Sequence, residues 1–195
     1  SVTNVKARFK IIGEVKNVEN YTGCGPNFFT FASNNFFFTV FPKTGHANCC
    51  GIRHFEEVDF ALHTLEKDHG VEINKEYLSI DSSTANGSLQ IENEEDFDLY
   101  DISRLITEKK HLHKKLLEPC KVTVRPDILP CVLIRRKKKP TINIFKSGKF
   151  TIMGAKNEEH VSEAFRIVKI IRRELQEKIA NADKELWNTI QDWVK

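Results

Sequence analysis

Two stretches of this chain carry one pattern at a spacing of 103 residues, and a repeat of that length constrains the fold more than any single residue can. The first copy runs Phe37-Phe38-Thr39-Val40-Phe41, turns through Gly45, continues from His46 to Arg53 through Gly51, and goes on to Leu65. The second runs Thr141-Ile142-Asn143-Ile144-Phe145, turns through Gly148, continues from Lys149 to Lys156 through Gly154, and goes on to Leu175. Counted from Gly51 and Gly154, Val58, Ala61, Leu62 and Leu65 match Val161, Ala164, Phe165 and Val168. Those offsets are i, i+3, i+4 and i+7, the inward stripe of an amphipathic helix. The unit is therefore two strands joined by a tight turn, followed by a helix that packs on them. Asn157 suits the N-cap of the second helix, with Glu158 and Glu159 placed favourably against its dipole.

More strand-like sequence precedes each unit: Asn4–Ile12 and Asn27–Ala32 in the first copy, Tyr77–Ser83, Lys121–Val124 and Cys131–Arg135 in the second. Glu95–Leu117 carries helical spacing between them. The expected organisation is one α+β domain over residues 1–175, with half-repeats at 1–75 and 76–175, and a helical extension at 176–195. That extension keeps Ile179, Leu186, Trp187, Ile190, Trp193 and Val194 at helical spacing, for packing on the domain or for docking a protein.

Strand alternation assigns faces. Ile142, Ile144, Phe150 and Ile152 point toward the helix, so Thr141, Asn143, Phe145, Lys149, Thr151 and Met153 point away from it. In the first copy the equivalent face carries Phe37, Thr39, Phe41, Asn48 and Cys50. Aromatic side chains at strand ends mixed with small polar ones suit two occupants. One is a further protein layer; the other is a DNA minor groove, whose hydrogen-bonding pattern is degenerate and whose base steps apolar wedges can unstack.

The chain's formal charge of +3 is unevenly spread: residues 1–100 hold 8 Lys and Arg against 15 Asp and Glu, and residues 101–195 hold 22 against 12. A basic run, Arg135-Arg136-Lys137-Lys138-Lys139, is available for phosphate contact. No apolar stretch reaches the length of a spanning helix, and five cysteines without a C-x-x-C pair argue against a disulfide framework, so an intracellular protein with no membrane partner is expected. His46, Cys49, Cys50 and His54 have spacings of interest to zinc, but alternation turns Cys49 and Cys50 to opposite faces. No nucleophile, base and orienting group can be assembled, so neither an enzyme, nor a cofactor, nor a small-molecule substrate is expected.

Residues 126–156 bring these threads together. Pro126-Asp127-Ile128-Leu129-Pro130-Cys131-Val132-Leu133-Ile134-Arg135, then Lys139-Pro140, Ile144-Phe145-Lys146-Ser147-Gly148-Lys149 and Gly154-Ala155-Lys156 closely resemble the second repeat of TATA-binding proteins. That family's pattern is P-E-L-F-P-G-L-I-Y-R, K-P, I-F-x-S-G-K and G-A-K. The first copy, with Phe41-Pro42-Lys43-Thr44-Gly45, resembles the divergent versions carried by large DNA viruses. The resemblance implies a curved antiparallel saddle of two pseudo-symmetric half-repeats, helices on its convex side, its hollow side bending A/T-rich double-stranded DNA. It implies general initiation factors or RNA polymerase as partners, in the nucleus or at a site of viral transcription.

Carried over by position, the resemblance makes Phe41, Phe145, Leu129 and Phe29 intercalating wedges, with Phe28 in place of Phe29 if the register shifts by one. Asn4, Asn48, Cys50, Thr151 and Met153 fall on the groove floor, and Arg135, Arg136, Lys146 and Lys149 on phosphates. Asn4 matches one of two central asparagines, but Asp81 stands where the other belongs, and an ionised carboxylate cannot donate to adenine N3 or thymine O2. An altered sequence preference follows. The alternative function is a saddle turned to protein interaction or virion structure, without sequence-specific DNA binding.

Overall fold

The computed structural model describes residues 2–90, 98–109, 114 and 120–193, and their side chains apart from those of Leu129 and residues 188–193. Among the described residues, ten strands and three longer helices follow one another as β1 (Val2–Ile12), β2 (Tyr21–Gly25), β3 (Phe28–Ser33), β4 (Phe36–Phe41), β5 (His46–Ile52), α1 (Val58–His69), β6 (Glu72–Ser88), α2 (Leu99–Lys109), β7 (Cys120–Arg125), β8 (Leu129–Arg136), β9 (Thr141–Phe145), β10 (Lys149–Ala155) and α3 (Glu158–Trp193). The strand order is β2-β3-β4-β5-β1-β6-β10-β9-β8-β7. Residues 1–85 with 153–158 form one compact unit, and residues 86–152 with 159–195 form the other.

The expectation of a curved saddle with helices on a convex side is corrected here: the sheet is open, neither closed nor strongly curled, with β2 and β7 as free edges. Curvature is built with bulges. Register shifts occur in the pairs β1–β5, β1–β6, β2–β3 and β7–β8, whereas β3–β4, β4–β5 and β8–β9 pair without interruption.

In the first unit the core is a layer of strand side chains under α1. Phe9, Phe31, Phe38, Ala47, Cys49 and Ile52 are sealed from solvent together with Ala61 and Leu65 of the helix. The register explains the layer: Phe31 pairs with Phe38, Phe38 with Cys49, and Cys49 with Ala7, so one row of the sheet is apolar from β3 to β1. α1 ends where Gly70 takes a left-handed φ of 66° and its N–H caps the Glu66 carbonyl at 3.0 Å. The Ser83 hydroxyl, buried, donates to the Ala155 carbonyl at 3.1 Å.

In the second unit Val132, Ile134, Ile142, Ile144, Phe150 and Ile152 bury the equivalent face, and Val161, Ala164, Val168 and Leu175 of α3 are buried with them. The Phe150 and Phe165 rings meet edge to face at 5.5 Å, which fixes α3 against β10. α2 packs on β7 and β8 and is joined to α3 by Lys178–Asp101 at 2.6 Å and Lys109–Glu174 at 3.3 Å. α3 runs on as one helix beyond the core, where Leu186 and Trp187 are exposed. Among the described residues no helix is long and apolar enough to cross a membrane.

Candidate nucleic-acid interface

Each unit turns one strand face away from its helices, and both faces can be read row by row. In the first unit Thr30 pairs with Thr39, Thr39 with Asn48, Asn48 with Arg8, and Arg8 with Ser79. This polar row crosses five strands. On one side of it Phe41 pairs with His46, and the Phe28 ring lies 6.1 Å from that of Phe41. On the other side Phe37, half-exposed, pairs with Cys50.

Phe29 does not belong to this surface. It pairs with Val40, stacks on Phe31 at 6.0 Å and packs against the core under α1. The neighbouring Phe28 takes the place beside Phe41 that Phe29 was expected to fill. A strand admits only one of two adjacent residues to a face, and the core claims Phe29 because its opposite, Val40, is buried.

Asn4 is exposed, and its side-chain oxygen accepts from the Gly51 N–H at 3.4 Å, which leaves its NH2 group as the donor. Gly51 has a φ of 87°, so a side chain there would be strained. Lys6 and Arg8 extend between the buried Val5, Ala7 and Phe9, which places both on the helix-free face. Asp81 sits in the β-bulge opposite them, where the pairing steps from Lys6–Ser82 to Ala7–Ile80. Its carboxylate forms ion pairs with Lys6 at 3.2 Å and Arg8 at 3.3 Å, and Lys156 donates to its backbone carbonyl. Partial burial alone would raise the Asp81 pKa, but the Lys6 hydrogen bond and the charges of Arg8, Lys6 and Lys156 bring it below the ordinary carboxylate value. Asp81 is thus ionised and overcompensated by cations. Cys50 senses the same groups: burial pushes its thiol pKa up, Lys6 pulls it down and Asp81 pushes it up.

In the second unit the row is Thr123, Leu133, Asn143 and Thr151, the last two joined by a bond of 3.1 Å from the Asn143 amide to the Thr151 hydroxyl. The repeat therefore exchanges two side chains: Thr39 and Asn48 face each other in the first unit, Asn143 and Thr151 in the second. Phe145 pairs with Cys131 and lines a cleft of about 510 Å³ with Pro130, Phe150, Thr151, Lys146 and Lys149. Both lysines are exposed, as is Arg135, which pairs with Lys121. Met153 is exposed at the first unit's share of β10. The Leu129 side chain lies outside the described residues.

Arg136, expected among the phosphate contacts, is placed elsewhere. It has the parity of Ile134, so its side chain is buried on the helix face, where it pairs with Glu163 of α3 at 2.8 Å. Lys139 reaches the other oxygen of Glu163 at 2.6 Å. Two of the five residues of the basic run thus fasten α3 to β8 and its loop. Neither ion pair is announced by local spacing, because the partners lie 27 and 24 residues apart. Of the candidate zinc residues, Cys49 is sealed in the core and Cys50 lies on the opposite face. Among the described residues no group of three or more metal-binding side chains assembles.

Residues 110–175, about a third of the chain, match the family model of transcription factor TFIID, or TATA-binding protein. Comparison with curated protein sequences gives no match. Among solved structures the chain is similar to the TBP of Methanococcus jannaschii, at a TM-score of 0.64 and 22% identity, over 89% of this chain and 98% of that one. The second likeness is one of fold, and the first is one of sequence over residues 110–175.

Proposed function

We propose that this chain is a transcription-initiation protein that binds duplex DNA in the minor groove through the helix-free strand faces of its two units. The observation that carries the reading is the placement of the aromatic side chains. Phe28 and Phe41 stand together at the strand ends of a polar face, and Phe145 occupies the matching position in the second copy beside a cleft rimmed by Lys146 and Lys149. A ring at such a position has no core to fill, and it suits insertion at a base step. Thr39 with Asn48 in the first unit, and in the second Thr151, held by the buried Asn143, offer short hydrogen-bonding groups of the size a groove floor admits. Arg135, Lys146 and Lys149 supply phosphate contacts. The family match over residues 110–175 supports a role in transcription, with initiation factors or a polymerase as partners.

The test is a gel-shift and bending assay on A·T-rich duplexes at two salt concentrations. Binding that weakens as salt rises, with a bend that Phe41→Ala and Phe145→Ala reduce, is the expected result. Absence of duplex binding at low salt refutes the reading and favours a protein-interaction role, for which the exposed Leu186 and Trp187 on α3 are the available anchors.

A further inference from the structure

We infer that the Lys6–Asp81–Arg8 cluster recognises a G·C pair within the bound site, so that the preferred sequence is A·T-rich but interrupted where Asp81 meets the groove. The inference rests on the minor-groove reading above and adds a specificity to it. Its basis is the order of the groups. Lys6 donates to one oxygen of the Asp81 carboxylate, at 3.2 Å, and the Arg8 guanidinium forms an ion pair with the other, at 3.3 Å. The cluster therefore presents donor, acceptor, donor. In the minor groove an A·T pair shows only acceptors, whereas a G·C pair adds the guanine N2 amino donor. Acceptor, donor, acceptor is the complement of what the cluster offers.

Three further features fit a reading role. The bulge that frees Asp81 from regular pairing turns its side chain to the same face as Lys6, Arg8 and Cys50, where it keeps about a quarter of its exposure. Each of its oxygens faces one cation of the cluster, and a carboxylate has lone pairs for about four bonds, so the amino group finds a vacant acceptor. The excess of cations, with Lys156 bonded to the Asp81 carbonyl, offsets the repulsion that a lone carboxylate would meet between phosphates. Asn4, on the same face, carries its NH2 donor for the acceptors that every pair presents.

The experiment uses the full chain and fluorescence anisotropy on labelled duplexes. One A·T-rich site is stepped, position by position, through A·T, G·C, inosine·C and 2-aminoadenine·T. Inosine removes the N2 amino group from guanine; 2-aminoadenine adds it to adenine. At one position G·C and 2-aminoadenine·T are expected to bind about tenfold more tightly than inosine·C and A·T, as one charge-assisted hydrogen bond would give. Asp81→Ala should abolish that ratio, and Asp81→Asn, which keeps the shape and can donate, should weaken or reverse it. Should Asp81 serve only to hold Lys6 and Arg8, both variants would shift affinity for all four duplexes alike, which overturns the inference. Wild-type binding without any dependence on the amino group overturns it too, and leaves DNA binding standing. Failure of the wild-type chain to bind any of the duplexes instead removes the minor-groove reading itself.

Discussion

The ring of Phe28 stands 6.1 Å from that of Phe41 at a tilt of 47°, while the adjacent Phe29 turns to the opposite face and stacks on Phe31. Two neighbouring phenylalanines thus have opposite tasks, and substitution separates them. Phe28→Ala and Phe41→Ala should leave thermal stability nearly unchanged and reduce DNA bending. Phe31→Ala removes a ring with no solvent exposure and should cost about 3–5 kcal/mol in urea unfolding. A bending defect in Phe29→Ala without loss of stability would reverse the assignment.

That pair also marks where sequence stops being legible. Helical spacing locates α1 and α3 because their stripes contain only apolar residues, and Val58, Ala61, Leu62 and Leu65 are indeed buried. In β4 the alternation is anchored by Phe36, Phe38 and Val40 in the core, leaving Phe37, Thr39 and Phe41 outside. In Phe28-Phe29-Thr30-Phe31 two adjacent rings are equally apolar, and only pairing with β4 sets the phase. β6 runs from Glu72 to Ser88, far beyond the Tyr77–Ser83 core, because its Ser-, Thr- and Asn-rich end holds strand geometry through neighbours and not through propensity. β2, with Gly23 and Gly25, gives no strand signal of its own. Sheet curvature is less legible still, since it depends on where bulges fall, and family resemblance alone suggested more of it than the strands possess.

Arg135 and Arg136 provide a second separation. Arg135 is exposed, so Arg135→Ala should weaken duplex binding evenly across sequences and lower the salt slope by about 1, with the fold intact. Arg136→Ala removes the buried partner of Glu163, which Lys139 alone then holds, and should destabilise the protein by about 2–3 kcal/mol. Affinity titrations at several salt concentrations, paired with urea unfolding, distinguish the two.

Glu163 makes this stabilisation pH-dependent. Burial would raise its pKa, but hydrogen bonds from Lys139 and Arg136, and their charges, hold it below the ordinary glutamate value. A carboxylate with a depressed folded pKa contributes its full stabilisation above the unfolded value, near 4.3 for an ordinary Glu, and loses it as pH falls through the folded one. The gap in urea midpoint between the wild type and Glu163→Gln should therefore be constant from pH 7 down to about 5 and narrow progressively as pH falls below the unfolded value. A gap that widens as pH falls below the unfolded value would mean that the carboxylate is not held by these cations in the folded protein.

The repeat glycines should not be equally replaceable. Gly154 has a φ of 82° with nothing within 4 Å of the position a Cβ would take, so Gly154→Ala carries only backbone strain, about 1–2 kcal/mol. Gly51 has a φ of 87°, and a Cβ there would lie 2.8 Å from the Asn35 carbonyl oxygen. Gly51→Ala should therefore lower the melting temperature further than Gly154→Ala, as a thermal scan of the two variants would reveal.

Thiol reactivity reports directly on the face assigned to DNA. Cys24 is exposed, Cys50 is half-buried with its pKa pushed up first by burial, and Cys49 is sealed in the core with its pKa pushed up further. The thiolate is the reactive form, so iodoacetamide at pH 8 should label Cys24 first, Cys50 more slowly and Cys49 only on unfolding. Cys24 pairs with Phe29 and has the parity of the helix side, whereas Cys50 pairs with Phe37 on the opposite face. Saturating duplex should then slow labelling of Cys50 and leave Cys24 unchanged. Equal protection of both would indicate a general loss of flexibility on binding, and an unchanged Cys50 rate would place the DNA somewhere other than this strand face.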